Sequence, residues 1–118
     1  MTLSLTSHRV EDVLITDMRG KLTIYEDAFR DFVRHSVQVG ERRIVLKLTD
    51  LYYLDSAGLG QLVSAYLKFK ETGTEFRLLS PSPRARHLLK MTKLDTVFTI
   101  LEDETSIHGS AASDVVPA

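Results

Sequence analysis

A carboxylate and a hydroxyl stand side by side at Asp55-Ser56, and the chain continues Ala57-Gly58-Leu59-Gly60. A serine in such a place has two possible chemistries. It attacks as a nucleophile if a base activates it, or it is modified by an enzyme that reaches it. The supports for attack are missing. No glycine lies two residues before Ser56, so there is no G-x-S-x-G elbow, and no spacing sets His35 or His87 beside it. Gly58 and Gly60 also lack the spacing and the lysine of a phosphate-binding P-loop. His8, His35, His87 and His108 are scattered without paired ligand spacing, and the chain contains no cysteine. These residues point to no catalytic group, no metal and no cofactor, and to a hydroxyl that is acted upon.

The elements around Ser56 explain why it should be reachable. Arg43 to Leu48 is strand-like, and Leu59, Leu62, Val63, Tyr66 and Leu67 recur afterwards at helical spacing. Ser56 therefore falls where a loop becomes a helix. Its oxygen is placed to cap that helix by accepting from the amide of Gly58 or Leu59. Upstream, Leu3 to His8 and Asp12 to Met18 alternate as two short strands, a hairpin that Gly20 interrupts. Thr23-Ile24-Tyr25-Glu26 fits a capping box, with Thr23 accepting from the first turn and Glu26 reaching back. The helix that follows would bury Tyr25, Phe29, Phe32, Val33 and Val37, and Gly40 would close it.

Ile44 to Leu48 is apolar except for Lys47 and reads as a central strand covered on both faces. The Ser56 helix should end near Thr72-Gly73, with Glu75 to Leu79 as the next strand. Ser82 then suits a cap and Pro83 a first helical turn, in a helix that buries Leu88, Leu89 and Met91. A last strand is expected over about 97–101. The fold class is α/β: one domain over 1–107, a mixed, mostly parallel β-sheet with an N-terminal hairpin and helices. Residues 108–118 have small side chains and weak periodicity and read as a flexible tail. Leu51 to Asp55 is expected to be a loop tip suited to recognition.

The composition, 43% hydrophobic and 26% charged, suits a single soluble globular domain and excludes a disordered chain. A formal net charge of −1 argues against direct nucleic-acid binding, which requires concentrated positive charge. Residues 1–6 lack the basic start and apolar run of a secretory signal, and no segment is long enough to insert in a membrane, so a cytoplasmic location is expected.

Met18-Arg19-Gly20-Lys21-Leu22-Thr23, Ile44 to Leu48, Leu54 to Gly60, Ser82-Pro83, Met91-Thr92-Lys93-Leu94 and Val97-Phe98 together resemble the STAS domain family. The resemblance covers most of the chain. It is strongest to the anti-sigma factor antagonists of bacterial partner-switching systems. It implies that Ser56 is a phosphorylation site and that Asp55 matches the acidic residue preceding it. It also implies a partner, an anti-sigma factor serine kinase. The unmodified antagonist binds that kinase and frees a sigma factor for transcription. Phosphorylation releases the kinase, and a serine phosphatase restores the binding form.

Within that resemblance, Asp55, Ala57, Gly58, Leu59, Tyr52, Tyr53 and Thr23 are the expected partner-binding residues. Of the two tyrosines, one is expected in the core and one at the interface. Thr23 stands where many members carry aspartate, and Ala57 where a second serine is frequent. Arg84, Arg86, His87, Lys90 and Lys93 form a basic run, read first as a solvated face and second as a contact for an acidic partner or phospholipid. The alternative function is a non-switching STAS subunit of a membrane lipid-transport or other signalling assembly. The oligomeric state is open at this level.

Overall fold

Alternation of apolar residues builds the first two strands. Leu3–Val10 (β1) and Val13–Leu22 (β2) pair antiparallel through a tight turn, with Val10 opposite Val13 and Leu3 opposite Gly20. These coordinates are a computed structural model that describes residues 3–24 and 26–107. Tyr25 and the expected tail at 108–118 lie outside the described residues. Helix α1 (Asp27–Val39) follows, then β3 (Arg43–Lys47), β4 (Leu51–Leu54), α2 (Ser56–Thr72), β5 (Glu75–Leu79), α3 (Pro83–Met91), a 3-10 turn (Leu94–Thr96) and β6 (Thr99–Leu101).

The sheet runs β1-β2-β3-β5-β6, and every pairing after the hairpin is parallel. It is thus the mixed α/β sheet expected from the alternation of strands and helices. Side chains two apart share a face, and β2 and β3 are apolar on both. Leu14, Met18, Ile44 and Leu46 face the main core with Phe29, Leu62, Ala65 and Phe69 of the helices. Val13, Ile15 and Val45 face the other way, where they pack with Leu79, Leu101 and Ile107. Helical backbone begins at Thr105, and Ile107 is buried.

Several boundaries differ from the sequence expectation. Gly20 does not interrupt β2. It takes φ +109°, a conformation costly to any residue with a Cβ, and donates its N–H to Asp50 O at 3.1 Å while the strand continues to Leu22. Thr23 does not cap α1, because that helix starts at Asp27 with Glu26 at the cap position. The Thr23 hydroxyl instead donates to Glu26 Oε2 at 3.2 Å within the connecting segment. The last strand is shorter than expected because Leu94–Thr96 turns as a 3-10 helix, leaving Val97 exposed.

Helical phase also differs from the sequence expectation at two positions. Leu67 and Met91 are exposed, while Ala65 and Phe69 supply the buried stripe of α2. Gly40 and Gly73 close α1 and α2 in left-handed geometry, as expected. Ser82 and Pro83 open α3, also as expected.

Ser82 joins α3 to the middle of the fold. Its Oγ accepts from Ala85 N at 3.2 Å and donates to Leu51 O at 2.6 Å, and both bonds are buried. Ser82→Ala removes the cap and leaves the Leu51 carbonyl short of a donor. We expect a loss of about 2–3 kcal/mol of unfolding free energy by urea denaturation, combining a cap with a buried unsatisfied acceptor.

Candidate functional site

Leu51–Leu54 is a short strand rather than the expected loop. It pairs parallel with the far end of β2, beside the stretch of β2 that pairs with β3. Gly20 is opposite Leu51 and Lys21 is opposite Tyr53, so Tyr52 is an extra residue in β4. Such a bulge breaks the alternation of faces. Leu51 and Leu54 are buried, while Tyr52 and Tyr53 both turn outward, at 67% and 40% exposure. The expected division into one core and one surface tyrosine is therefore wrong, because the bulge gives both the same side. Lys21 Nζ lies 5.9 Å from the centre of the Tyr53 ring, within cation–π range.

From Leu54 the chain turns directly into α2, and the cap of this helix is Asp55 rather than Ser56. Asp55 is extended (φ −109°, ψ −178°), and its Oδ1 accepts from Gly58 N at 2.7 Å. Its carbonyl accepts from Leu59 N at 2.8 Å. Ser56 is the first helical residue and is exposed, and among the described residues its hydroxyl has no hydrogen-bond partner. The carboxylate has taken over the capping role, and the hydroxyl is left to solvent.

Beneath this turn the packing is tight. A Cβ on Gly58 would stand 2.0 Å from Leu22 O and 3.1 Å from Leu54 Cδ1. Only glycine permits the first turn of α2 to lie this close to the end of β2. Leu59 is buried behind it and Ala57 is half-buried. Gln61 Nε2 donates to the carbonyl of Thr23, tying α2 to the segment after β2. From the other side, Arg84 Nε donates to Leu54 O at 3.0 Å.

The structure thus brings Tyr52, Tyr53, Asp55, Ser56 and Ala57 to the surface at one end of the sheet. Gly58 and Leu59 lie under them and position them. Thr23 is half-buried on the adjoining segment, with its hydroxyl engaged by Glu26. Lys21, Ile24 and Gln61 also border this region, with no sequence motif to mark them for it. Ile24 is 54% exposed, and such a side chain carries no periodic signal in a short connection. In the sequence Arg84 reads as part of one basic run with Arg86, His87, Lys90 and Lys93. The fold separates it from Arg86, which pairs with Glu102 at 2.8 Å.

Ile24 and Gln61 also line an open groove of about 690 Å³ between α1 and α2, floored by Phe29, Val33 and Ala65. Its cations Arg30, Arg34 and Lys68 each pair with an acid one turn away. Among the described residues there is no group of His, Asp or Glu side chains able to hold a metal ion, and no helix is long and apolar enough to cross a membrane.

Two substitutions separate packing from capping. Gly58→Ala drives a methyl group into the Leu22 carbonyl and should cost roughly 2–3 kcal/mol in urea denaturation. Asp55→Ala removes the cap alone and should cost about 1 kcal/mol. A Gly58→Ala protein as stable as wild type would contradict the close approach.

The STAS domain family profile matches residues 4–107. The chain is 28% identical over 111 residues to the anti-sigma F factor antagonist of Paenibacillus polymyxa, spanning 90% of this chain and 92% of that one. Among solved structures, an anti-sigma factor antagonist from Mycobacterium paratuberculosis superposes with a TM-score of 0.81 at 19% identity, over 92% of this chain and 93% of the other. The Bacillus cell fate determinant SpoIIAA in its phosphorylated form superposes with a TM-score of 0.69 at 17% identity, over 91% and 99%. At such identities these two structures speak for the fold. With the family profile spanning nearly the whole described chain and the mixed sheet to match it, the protein belongs to the STAS domain family.

Proposed function

We propose that this protein is an anti-sigma factor antagonist switched by phosphorylation of Ser56. The observation that carries this reading is the division of labour at the start of α2. Asp55 caps the helix through the 2.7 Å bond to Gly58, so the fold makes no use of the exposed Ser56 hydroxyl. The likeness to the Paenibacillus polymyxa anti-sigma F factor antagonist supports the same reading, as does the phosphorylated form of SpoIIAA among proteins of this fold.

In this mechanism an anti-sigma factor serine kinase docks on the surface formed by Tyr52, Tyr53, Asp55, Ser56 and Ala57. Docking frees the sigma factor. The kinase then transfers the γ-phosphoryl group of ATP to Ser56 Oγ, which gives up its proton as ADP leaves. The product carries about −1.5 to −2 additional charge units next to Asp55. An anion at a helix N-terminus is favoured by the helix dipole and the free first-turn amides, so the fold tolerates it. Its effect falls on the partner, whose surface must now accommodate a bulky dianion. A serine phosphatase reverses the change. The protein acts as binder and substrate, without catalysis of its own, and in the cytoplasm where sigma factors work.

Thr23 is the weaker candidate for modification because its hydroxyl is already bonded to Glu26. The aromatic pair is the stronger candidate for binding energy, since two outward tyrosines offer large amphipathic area with few rotatable bonds.

With an anti-sigma factor serine kinase from the same organism as partner, Ser56→Ala should retain binding in the presence of ATP. Ser56→Asp should bind at least about tenfold more weakly, a difference of about 1.4 kcal/mol. Calorimetric titration measures both, and equal affinities for the two variants and wild type would sink the switch. Tyr52→Ala should weaken kinase binding while changing unfolding free energy by less than about 0.5 kcal/mol, because the ring is exposed. Mass spectrometry after incubation with kinase and ATP should find phosphate on Ser56 alone.

A further inference from the structure

Arg84 lies in the first turn of α3 yet reaches the turn between β4 and α2. Its Nε donates to Leu54 O at 3.0 Å, so the guanidinium is held at a defined place on that turn. Among the described residues its two terminal nitrogens have no hydrogen bond and no ion pair. Most arginines of this chain, Arg9, Arg19, Arg30, Arg34, Arg43, Arg77 and Arg86, pair with carboxylates, and among the described residues only Arg42 and Arg84 do not. Asp55 is one residue from the Leu54 carbonyl, but its Oδ1 is committed to Gly58 N and it makes no ion pair with Arg84. The cation is therefore anchored and left uncompensated.

Ser56 is two residues beyond Leu54, no more than about 7 Å along the backbone. A guanidinium presents its donors as a planar fork that matches two phosphate oxygens. We propose that Arg84 is the receptor, within the same molecule, for a phosphate on Ser56. Its Nη1 and Nη2 hold phosphate oxygens while Nε stays on the Leu54 carbonyl. The proposal rests on the phosphoswitch reading of Ser56 and names the residue that receives the new charge. Capture offsets the repulsion between the phosphate and Asp55, which explains how the fold carries a dianion at this site without opening. It also fixes the phosphate against α3, away from free rotation about the serine side chain, and takes the free donors of Arg84 out of reach of a docked partner.

Lys21 is the rival cation, presented by the end of β2 next to Tyr53. Its ammonium is engaged over the Tyr53 ring at 5.9 Å and is a point charge without the bidentate geometry. Charged side chains on the segments that meet at this turn include Asp55 before Ser56, Arg84 from α3 on the Leu54 carbonyl and Lys21 from β2 over the Tyr53 ring.

The test uses full-length protein carrying phosphoserine at position 56, installed during translation so that no kinase is needed. The pH titration of its phosphorus NMR signal gives the midpoint for loss of the second phosphate proton. A neighbouring cation favours the dianion, so the wild-type midpoint should lie below the usual value of about 6. Arg84→Gln should raise it by roughly 1 unit, Arg84→Lys should raise it less, and Lys21→Gln should move it by less than half as much as Arg84→Gln. Equal midpoints for wild type and Arg84→Gln overturn the proposal, as does a larger shift from Lys21→Gln. The nitrogen-proton signals of the Arg84 guanidinium provide a readout that needs no variant. They should shift and exchange more slowly with water in the phosphorylated protein, and unchanged signals also overturn the proposal. Failure of the kinase to modify Ser56 is a different result, which removes the phosphoswitch reading and leaves the capture of an installed phosphate standing.

Discussion

At Gly58 the first turn of α2 crosses the end of β2 with no room for a side chain. A Cβ there would stand 2.0 Å from the Leu22 carbonyl oxygen, and the rest of the site depends on that approach. It draws α2 onto the strand end, so that Leu59 and Leu62 reach the core. It also brings the Asp55 carboxylate over the Gly58 amide, which makes aspartate the cap and leaves serine outside. A bulkier residue would lift the helix, and the cap, the buried leucines and the exposed hydroxyl would all shift together.

The same end of the sheet is secured from three directions. Gly20 turns β2 and donates to Asp50, Gln61 donates to the Thr23 carbonyl, and Arg84 donates to the Leu54 carbonyl. All three acceptors are main-chain oxygens at strand ends or in connecting segments, and each bond ties one element to another. Together they hold the surface to β2, α2 and α3. A surface held in this way suits recognition that must answer to one small covalent change, because the interface then depends on the local charge and shape and not on refolding.

A phosphate at this site has two separate consequences. One concerns the partner, which meets new charge and bulk. The other concerns the protein itself, which must carry a dianion beside Asp55. The helix N-terminus helps with the second, but its dipole effect is worth under about 1 kcal/mol when exposed. The proposed capture by Arg84 adds a bidentate counter-charge that comes from α3, thirty residues along the chain from Leu54.

Much of this was legible in the residues. The apolar runs of β3 and β5, the helix-ending Gly40 and Gly73, and the Ser82-Pro83 start of α3 are short-range signals, and periodicity or turn chemistry suffices to read them. Asp55-Ser56 at a strand-to-helix junction was legible for the same reason. Other features follow from neighbours distant in sequence. Leu51–Leu54 is a strand only because the far end of β2 offers it a ladder, and both tyrosines face outward only because that ladder carries a bulge. Asp55 displaced Ser56 as cap, and Thr23 lost its capping role to the later start of α1 at Asp27, because both depend on where the strand ends set the helices down. By itself the sequence determined the order of five of the six strands and of the three helices between them, and placed a serine at the start of the second helix. Only the tertiary structure decided that the hydroxyl has no partner among the described residues, that Gly58 is essential to its placement and that Arg84 is held on the Leu54 carbonyl, since each depends on main-chain atoms brought together from separate elements.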